Sequence, residues 1–186
     1  FLGIHKDVIF LDVFLHTGTL LALATFFFND IRASFKNPKT IGSIALVTVI
    51  TGIIGLTFRK IFESFFVSAH GIAIFLGING VILMATRFLK KGEKREVAAL
   101  DSIIMGLAQG LAITPGISRS GLTITALLSR GIVRDEAFRF SFIASIPAII
   151  GAFFLETRKI NGTATFDPLS LAAGFGASYL FGIMAL

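Results

Sequence analysis

Cysteine is absent from the 186 residues. That excludes disulfides and thiolate metal sites and leaves the redox compartment unspecified. Charge is scarce as well: charged residues make up 15% of the chain, against roughly 25% in soluble domains, which need it to stay hydrated and monomeric. No basic leader followed by a small-residue cleavage site precedes the first apolar segment, so no signal peptide is expected. The chain opens at Phe1 and closes at Leu186 within an apolar run, and both ends read as cuts in a longer protein.

Apolar surface is abundant. Hydrophobic residues form 54% of the chain, with 21 phenylalanines, and the mean hydropathy is +0.86. Apolar stretches recur that approach the roughly 20 residues a helix needs to cross the hydrocarbon. The expected fold class is an all-α integral membrane protein, a polytopic helical bundle forming one transmembrane domain over residues 1–186, because helices satisfy their own backbone groups in lipid. The net charge of +6 comes from basic residues placed between apolar segments, as the positive-inside rule describes. Nucleic acid is therefore not an expected partner; membrane lipids are.

Spans are expected at residues 8–28, 41–58, 72–89, 140–155 and 169–186. Connectors fall at 29–40, 59–71, 90–96 and 156–168. Residues 97–129 behave differently. A helical pattern over 97–113 holds Asp101 and Gln109, Thr114-Pro115-Gly116 breaks it, and 121–129 is a second, shorter apolar piece. Two short helices about a Gly/Pro/Ser loop fit either a re-entrant hairpin or one broken span. If the hairpin enters and leaves by one face, 11 basic residues share that side against 5 on the other. A full crossing would give 10 against 6. The larger bias favours the hairpin, with the 11-residue side cytoplasmic.

The loop carries the chemistry. Arg119 lies in a long apolar environment, where a guanidinium costs about 2.5–3.5 kcal/mol even on insertion scales, and so calls for an anionic partner or a watery cavity. Gly116 and Gly121 allow backbone to approach a ligand. Ser118, Ser120 and Thr123 offer hydroxyls, and the helix that follows presents its positive N-terminus. A fork-shaped donor, hydroxyls and a helix start make a phosphate cradle. The plainer reading, in which Arg119 reaches the interface and Pro-Gly is an ordinary turn, stays open on these residues alone.

Pro115-Gly116-Ile117-Ser118-Arg119-Ser120-Gly121-Leu122-Thr123, preceded by the Gly106-Leu-Ala-Gln-Gly-Leu-Ala stretch, resembles the second signature of the undecaprenyl-diphosphate phosphatase family, also called bacitracin-resistance proteins. Residues 140–147 (Phe-Ser-Phe-Ile-Ala-Ser-Ile-Pro) and 11–22 resemble the flanking family segments. The resemblance implies a multi-pass enzyme of the bacterial inner membrane that hydrolyses undecaprenyl diphosphate to the monophosphate, recycling the lipid carrier of peptidoglycan synthesis. It implies catalytic roles for Ser118, Arg119 and Thr123, and phosphate binding by Gly116, Ser118, Arg119, Ser120 and Gly121. It also implies an inverted repeat with two re-entrant hairpins, a site open to the periplasm, and a divalent cation, Mg²⁺ or Ca²⁺. The family's pair of glutamates four apart, its expected metal ligands, would lie upstream of Phe1, so no metal ligand is expected within this chain. Gln109 stands roughly where the first repeat carries a Glu, and it is a poorer ligand for a hard cation. As it stands, the chain is expected to hold half a site and to be inactive alone.

Other features receive plainer readings. Asp12 and His16 are one helical turn apart, the spacing of a proton relay or metal pair, but read first as capping or hydrogen-bonding neighbouring helices near the entry of the span. His70 reads as loop, Gly106 and Gly110 as a close helix contact, Asp135-Glu136 as a helix start, Pro147 as a kink, and 90–95 as a topology signal or a contact to anionic headgroups. Competing functions are a transporter or flippase of a phosphorylated lipid, and a structural subunit with an inert basic pocket. A homodimer is left open.

Overall fold

The computed structural model describes residues 5–65, 68–157 and 167–185. Among these the chain is helical: α1 His5–Phe26, α2 Phe28–Ser34, α3 Pro38–Thr57, α4 Arg59–Phe65, α5 Ala69–Ala85, α6 Ala99–Leu111, α7 Arg119–Ser129, α8 Arg134–Thr157 and α9 Pro168–Ala185. Four stretches are long and apolar enough to cross a membrane: Pro38–Thr57, Ala69–Phe88, Arg134–Leu155 and Pro168–Ala185. The pair Phe14–Phe26 and Phe28–Ser34, bent by 77°, makes a fifth if it is one broken span and is otherwise a re-entrant loop. The expected span at 8–28 thus ends in a sharp corner rather than running straight into its connector.

The starts of these helices follow from local chemistry. Asn37 caps α3 by accepting from Lys39 N at 3.0 Å, with Pro38 in the first turn, where its missing N–H costs nothing. Ser68 caps α5 by accepting from Gly71 N at 3.0 Å. This cap overturns the loop reading of His70, which is the second residue of α5. Asp135 and Glu136 sit in the first turn of α8, where negative charge suits the helix dipole. Asp167 precedes α9 and accepts from Ser170 Oγ at 2.7 Å and Ser170 N at 2.9 Å. Those bonds hold its carboxyl below the ordinary carboxylate range. The expected loop 156–168 otherwise lies largely outside the described residues, as does the side chain of Asp12.

The helices fall into two compact units, residues 1–33 with 145–186 and residues 34–144, the division lying within α8. In the first, α1 packs along α9. Gly18 makes this possible, because a Cβ there would stand 2.6 Å from Phe175 O.

In the second unit α6 packs along α3 and against α7, and α7 lies on α5. Gly106 and Gly110 face α3 closely, where added Cβ atoms would come within 3.0 Å of Ile50 and 2.6 Å of Ile54. Val47, Met105, Leu127, Ile132, Ala137, Phe140 and Ala144 form its core. Polar groups are buried beside them, among them Thr51, Asn79, Asp101, Gln109, Thr123 and Ser141. Val49, Ile53, Leu56, Ile74 and Val81 are meanwhile exposed. Polar inside and apolar outside is the distribution expected of a bundle whose solvent is lipid.

The legs of the α6–α7 hairpin are tied at their outer ends. Lys94 and Ile132 form a β-bridge, and Arg130 Nε donates to Asp101 Oδ1 at 2.8 Å. Asp101 is 1% exposed and also accepts from Ala98 N at 3.1 Å, closing the first turn of α6. This fixes the start of α6 at Ala99, two residues later than the expected 97–113.

Candidate functional site

The site is built on the seven residues between α6 and α7. Past Leu111 the helix tightens: Ile113 N donates to Gly110 O at 3.3 Å and Thr114 N to Leu111 O at 3.1 Å. Ile117 N then returns to Thr114 O at 3.2 Å. Between them Gly116 adopts φ +92°, a conformation that L side chains rarely take. The turn also presses on α5 at this point, since a Cβ on Gly116 would lie 2.7 Å from Ile72 O. Two separate constraints therefore require glycine here.

Ser118 is the hinge between turn and helix. Its backbone N–H donates to Asn79 Oδ1 on α5 at 3.1 Å, and its Oγ accepts from Gly121 N at 3.2 Å, capping α7. The hydroxyl proton of Ser118 is not spent in the capping bond. Arg119 and Ser120 are the first two residues of α7, where backbone N–H groups face out of the helix start. Both residues are half-buried. Gly121 completes the first turn, with a Cβ there 2.9 Å from Leu83 Cδ2.

Five of the expected residues, Gly116, Ser118, Arg119, Ser120 and Gly121, thus meet at one turn. Thr123 is placed differently. It is 1% exposed, its Oγ1 donates to Arg119 O at 2.7 Å, and it lies 2.6 Å from Ser141 Oγ on α8. Its hydroxyl faces the protein interior and holds the first turn of α7 onto α8.

Asn79 and Ser141 complete the support and were not singled out in the sequence. Asn79 carried a signal, since an amide within an apolar span marks a candidate site. Ser141 carried none beyond its place beside Phe140. Gln109 is 1% exposed. Its Nε2 donates to Thr51 Oγ1 at 3.1 Å, and its Oε1 has no hydrogen-bond partner among the described residues. Among the described residues no group of three or more His, Asp or Glu side chains could hold a metal ion, and the buried carboxylate of Asp101 is engaged by Arg130. The donors present suit an anion, not a hard cation.

Comparison with known proteins gives a consistent result. The sequence profile of the family described as "Bacitracin resistance protein BacA" matches residues 1–186. A protein of Carboxydothermus hydrogenoformans named undecaprenyl-diphosphatase is 40% identical over 99% of this chain, which covers 74% of that protein. Proteins of the same name from Alkaliphilus metalliredigens and Halothermothrix orenii are 37% and 39% identical over 100% of this chain, which covers 76% and 74% of them.

Proposed function

The chain belongs to the bacitracin-resistance (BacA) family, and from that membership we propose that it acts on undecaprenyl diphosphate in the bacterial inner membrane. Water adds to the terminal phosphorus, the bridging P–O bond breaks, and undecaprenyl phosphate and inorganic phosphate leave. The observation that carries the assignment to particular residues is the capped start of α7. There Ser118 Oγ, the amides of Arg119 and Ser120, and the Arg119 side chain belong to one turn.

Each group has a distinct task. The two amides and the helix dipole take phosphate oxygens. Ser118, already accepting from Gly121 N, donates its remaining proton to another oxygen. Arg119 offsets the charge that spreads over the phosphoryl oxygens in a loose transition state. Thr123 and Asn79 are positioning residues: one holds the α7 turn to α8, the other holds the Ser118 amide to α5.

A divalent cation is proposed for the reaction on family resemblance. Among the described residues no group of His, Asp and Glu side chains forms a site for one. No two glutamates stand four apart in these 186 residues. We therefore propose that these residues supply the phosphate-binding half of the site.

The hairpin is proposed to be re-entrant. At 13 and 11 residues, α6 and α7 are about 20 and 17 Å long, each short of the roughly 30 Å hydrocarbon core. Their outer ends are tied together, which supports entry and exit by one face and a turn at depth.

Phosphate release from undecaprenyl diphosphate tests the reading. In a form extended to carry the glutamate pair, Arg119→Ala should lower kcat by on the order of 10²–10³-fold, with Arg119→Lys recovering only part. Full activity of Arg119→Ala would overturn the cradle. Hydrolysis by the 186-residue chain alone would overturn the half-site reading.

A further inference from the structure

A second candidate anion site lies at the opposite end of α7. The span Ala69–Phe88 closes in a 3₁₀ turn, Thr86–Phe88. Phe88 is 82% exposed there, with Arg87 stacked over its ring at 5.7 Å. The chain that follows is fixed in place. Glu93 N and Lys94 N both donate to Gly131 O, at 3.1 and 2.9 Å, and Val133 N donates to Lys94 O at 2.9 Å. Gly92 lies so close that a Cβ would stand 2.5 Å from Ile132 O, and Gly131 turns the facing segment with φ +78°.

This clamp leaves an open groove of about 550 Å³ between residues 88–94 and 128–131. Lys90, Lys91 and Lys94 line it against the single acid Glu93, while Phe88, Leu89 and Leu128 supply an apolar wall. Cations on one side and apolar surface on the other, at the end of a span, match an amphiphile with an anionic head. A soluble polyanion would leave the wall of Phe88 and Leu128 wet, whereas an acyl chain covers it. We propose that this groove binds the headgroup of an anionic phospholipid, its phosphodiester on the three lysines and its chain along Leu128 and Phe88.

The proposal rests on the membrane reading above and not on the diphosphatase assignment, so its test reads lipid and not hydrolysis. The protein is reconstituted in phosphatidylcholine bilayers containing a minority of phosphatidylglycerol, extracted, and its retained lipids counted by native mass spectrometry. The variant Lys90→Gln/Lys91→Gln/Lys94→Gln should lose phosphatidylglycerol more than tenfold, since each basic residue near an anionic surface contributes about fivefold in binding. The control Arg32→Gln/Lys36→Gln/Lys39→Gln removes equal charge and should retain it. Should the triple groove variant fold poorly, Lys91→Glu alone provides the same comparison. Unchanged retention, or an equal loss in the control, overturns the site. Displacement of the lipid by inorganic phosphate overturns the lipid assignment, because the acyl chain would then contribute nothing.

Discussion

At position 116 the backbone leaves room for hydrogen alone, and Gly131 provides the matching comparison. Both have positive φ, +92° and +78°, but a Cβ on Gly116 would strike Ile72 O at 2.7 Å, whereas nothing lies within 4 Å of one on Gly131. Gly131→Ala should therefore cost only backbone strain, about 1 kcal/mol. Gly116→Ala should cost roughly 2–4 kcal/mol through strain plus displacement of the turn from α5. Thermal unfolding in detergent measures the difference, and equal melting points would refute the close approach. Thr123 makes a similarly sharp case. Thr123→Ser keeps the bonds to Arg119 O and Ser141, while Thr123→Val leaves the buried Ser141 hydroxyl with an apolar neighbour at about 1–3 kcal/mol. If Thr123 positions and does not react, Thr123→Ser retains near-normal kcat and Thr123→Val loses it along with stability. A Ser variant as inactive as the Val variant would point to direct contact with substrate. At this scale the turn before α7 was legible, because a Pro-Gly break is conspicuous in apolar surroundings. The sequence did not show Asn79 or Ser141, which stand 39 and 18 residues from their partners and meet them only through folding.

Among the elements, the α6–α7 hairpin carries one buried ion pair at its outer end. Asp101 is 1% exposed as a side chain and Arg130 is 33% exposed, so the carboxylate has given up nearly all its water and the guanidinium only part. Removing the better-hydrated partner should do more harm. Arg130→Ala strands a buried carboxylate at about 3 kcal/mol, whereas Asp101→Asn keeps an acceptor for Ala98 N and removes the stranded charge. The double variant should be more stable than Arg130→Ala alone, giving a coupling energy of about 1–2 kcal/mol in a double-mutant cycle. Additive effects would show that the pair contributes nothing to closing the hairpin. The elements themselves were legible wherever apolar runs were long, as in α3, α5 and α9. α8 begins at Arg134, at the helix start that Asp135 and Glu136 marked ahead of the apolar count at 140–155, because acidic side chains suit a first turn. His70 was misread because Ser68 capping was not weighed against the glycine beside it.

For the molecule as a whole, the open quantity is which side each loop faces, and the absence of cysteine makes it directly measurable. Single cysteines introduced at Asn37, Ser64, Glu96 and Asp135, all in the unit spanning 34–144 and none in its buried core, would each be the one thiol in the chain. α3 and the span ending at Phe88 are each long and apolar enough to cross once, so Asn37 and Glu96 should label from one side and Ser64 from the other. Asp135 decides the topology. The Lys94–Ile132 bridge and the Val133 N to Lys94 O bond at 2.9 Å bring the end of the hairpin back beside its beginning. Asp135, two residues past Val133, should therefore label with Glu96, on the basic side expected to be cytoplasmic. A membrane-impermeant maleimide added to intact spheroplasts and to inverted vesicles separates the two outcomes. Labelling of Asp135→Cys together with Ser64→Cys would mean that α6 and α7 cross as one broken span. That result would place the Arg119 turn in a through-going helix, with the 10-against-6 charge distribution that the hairpin avoids.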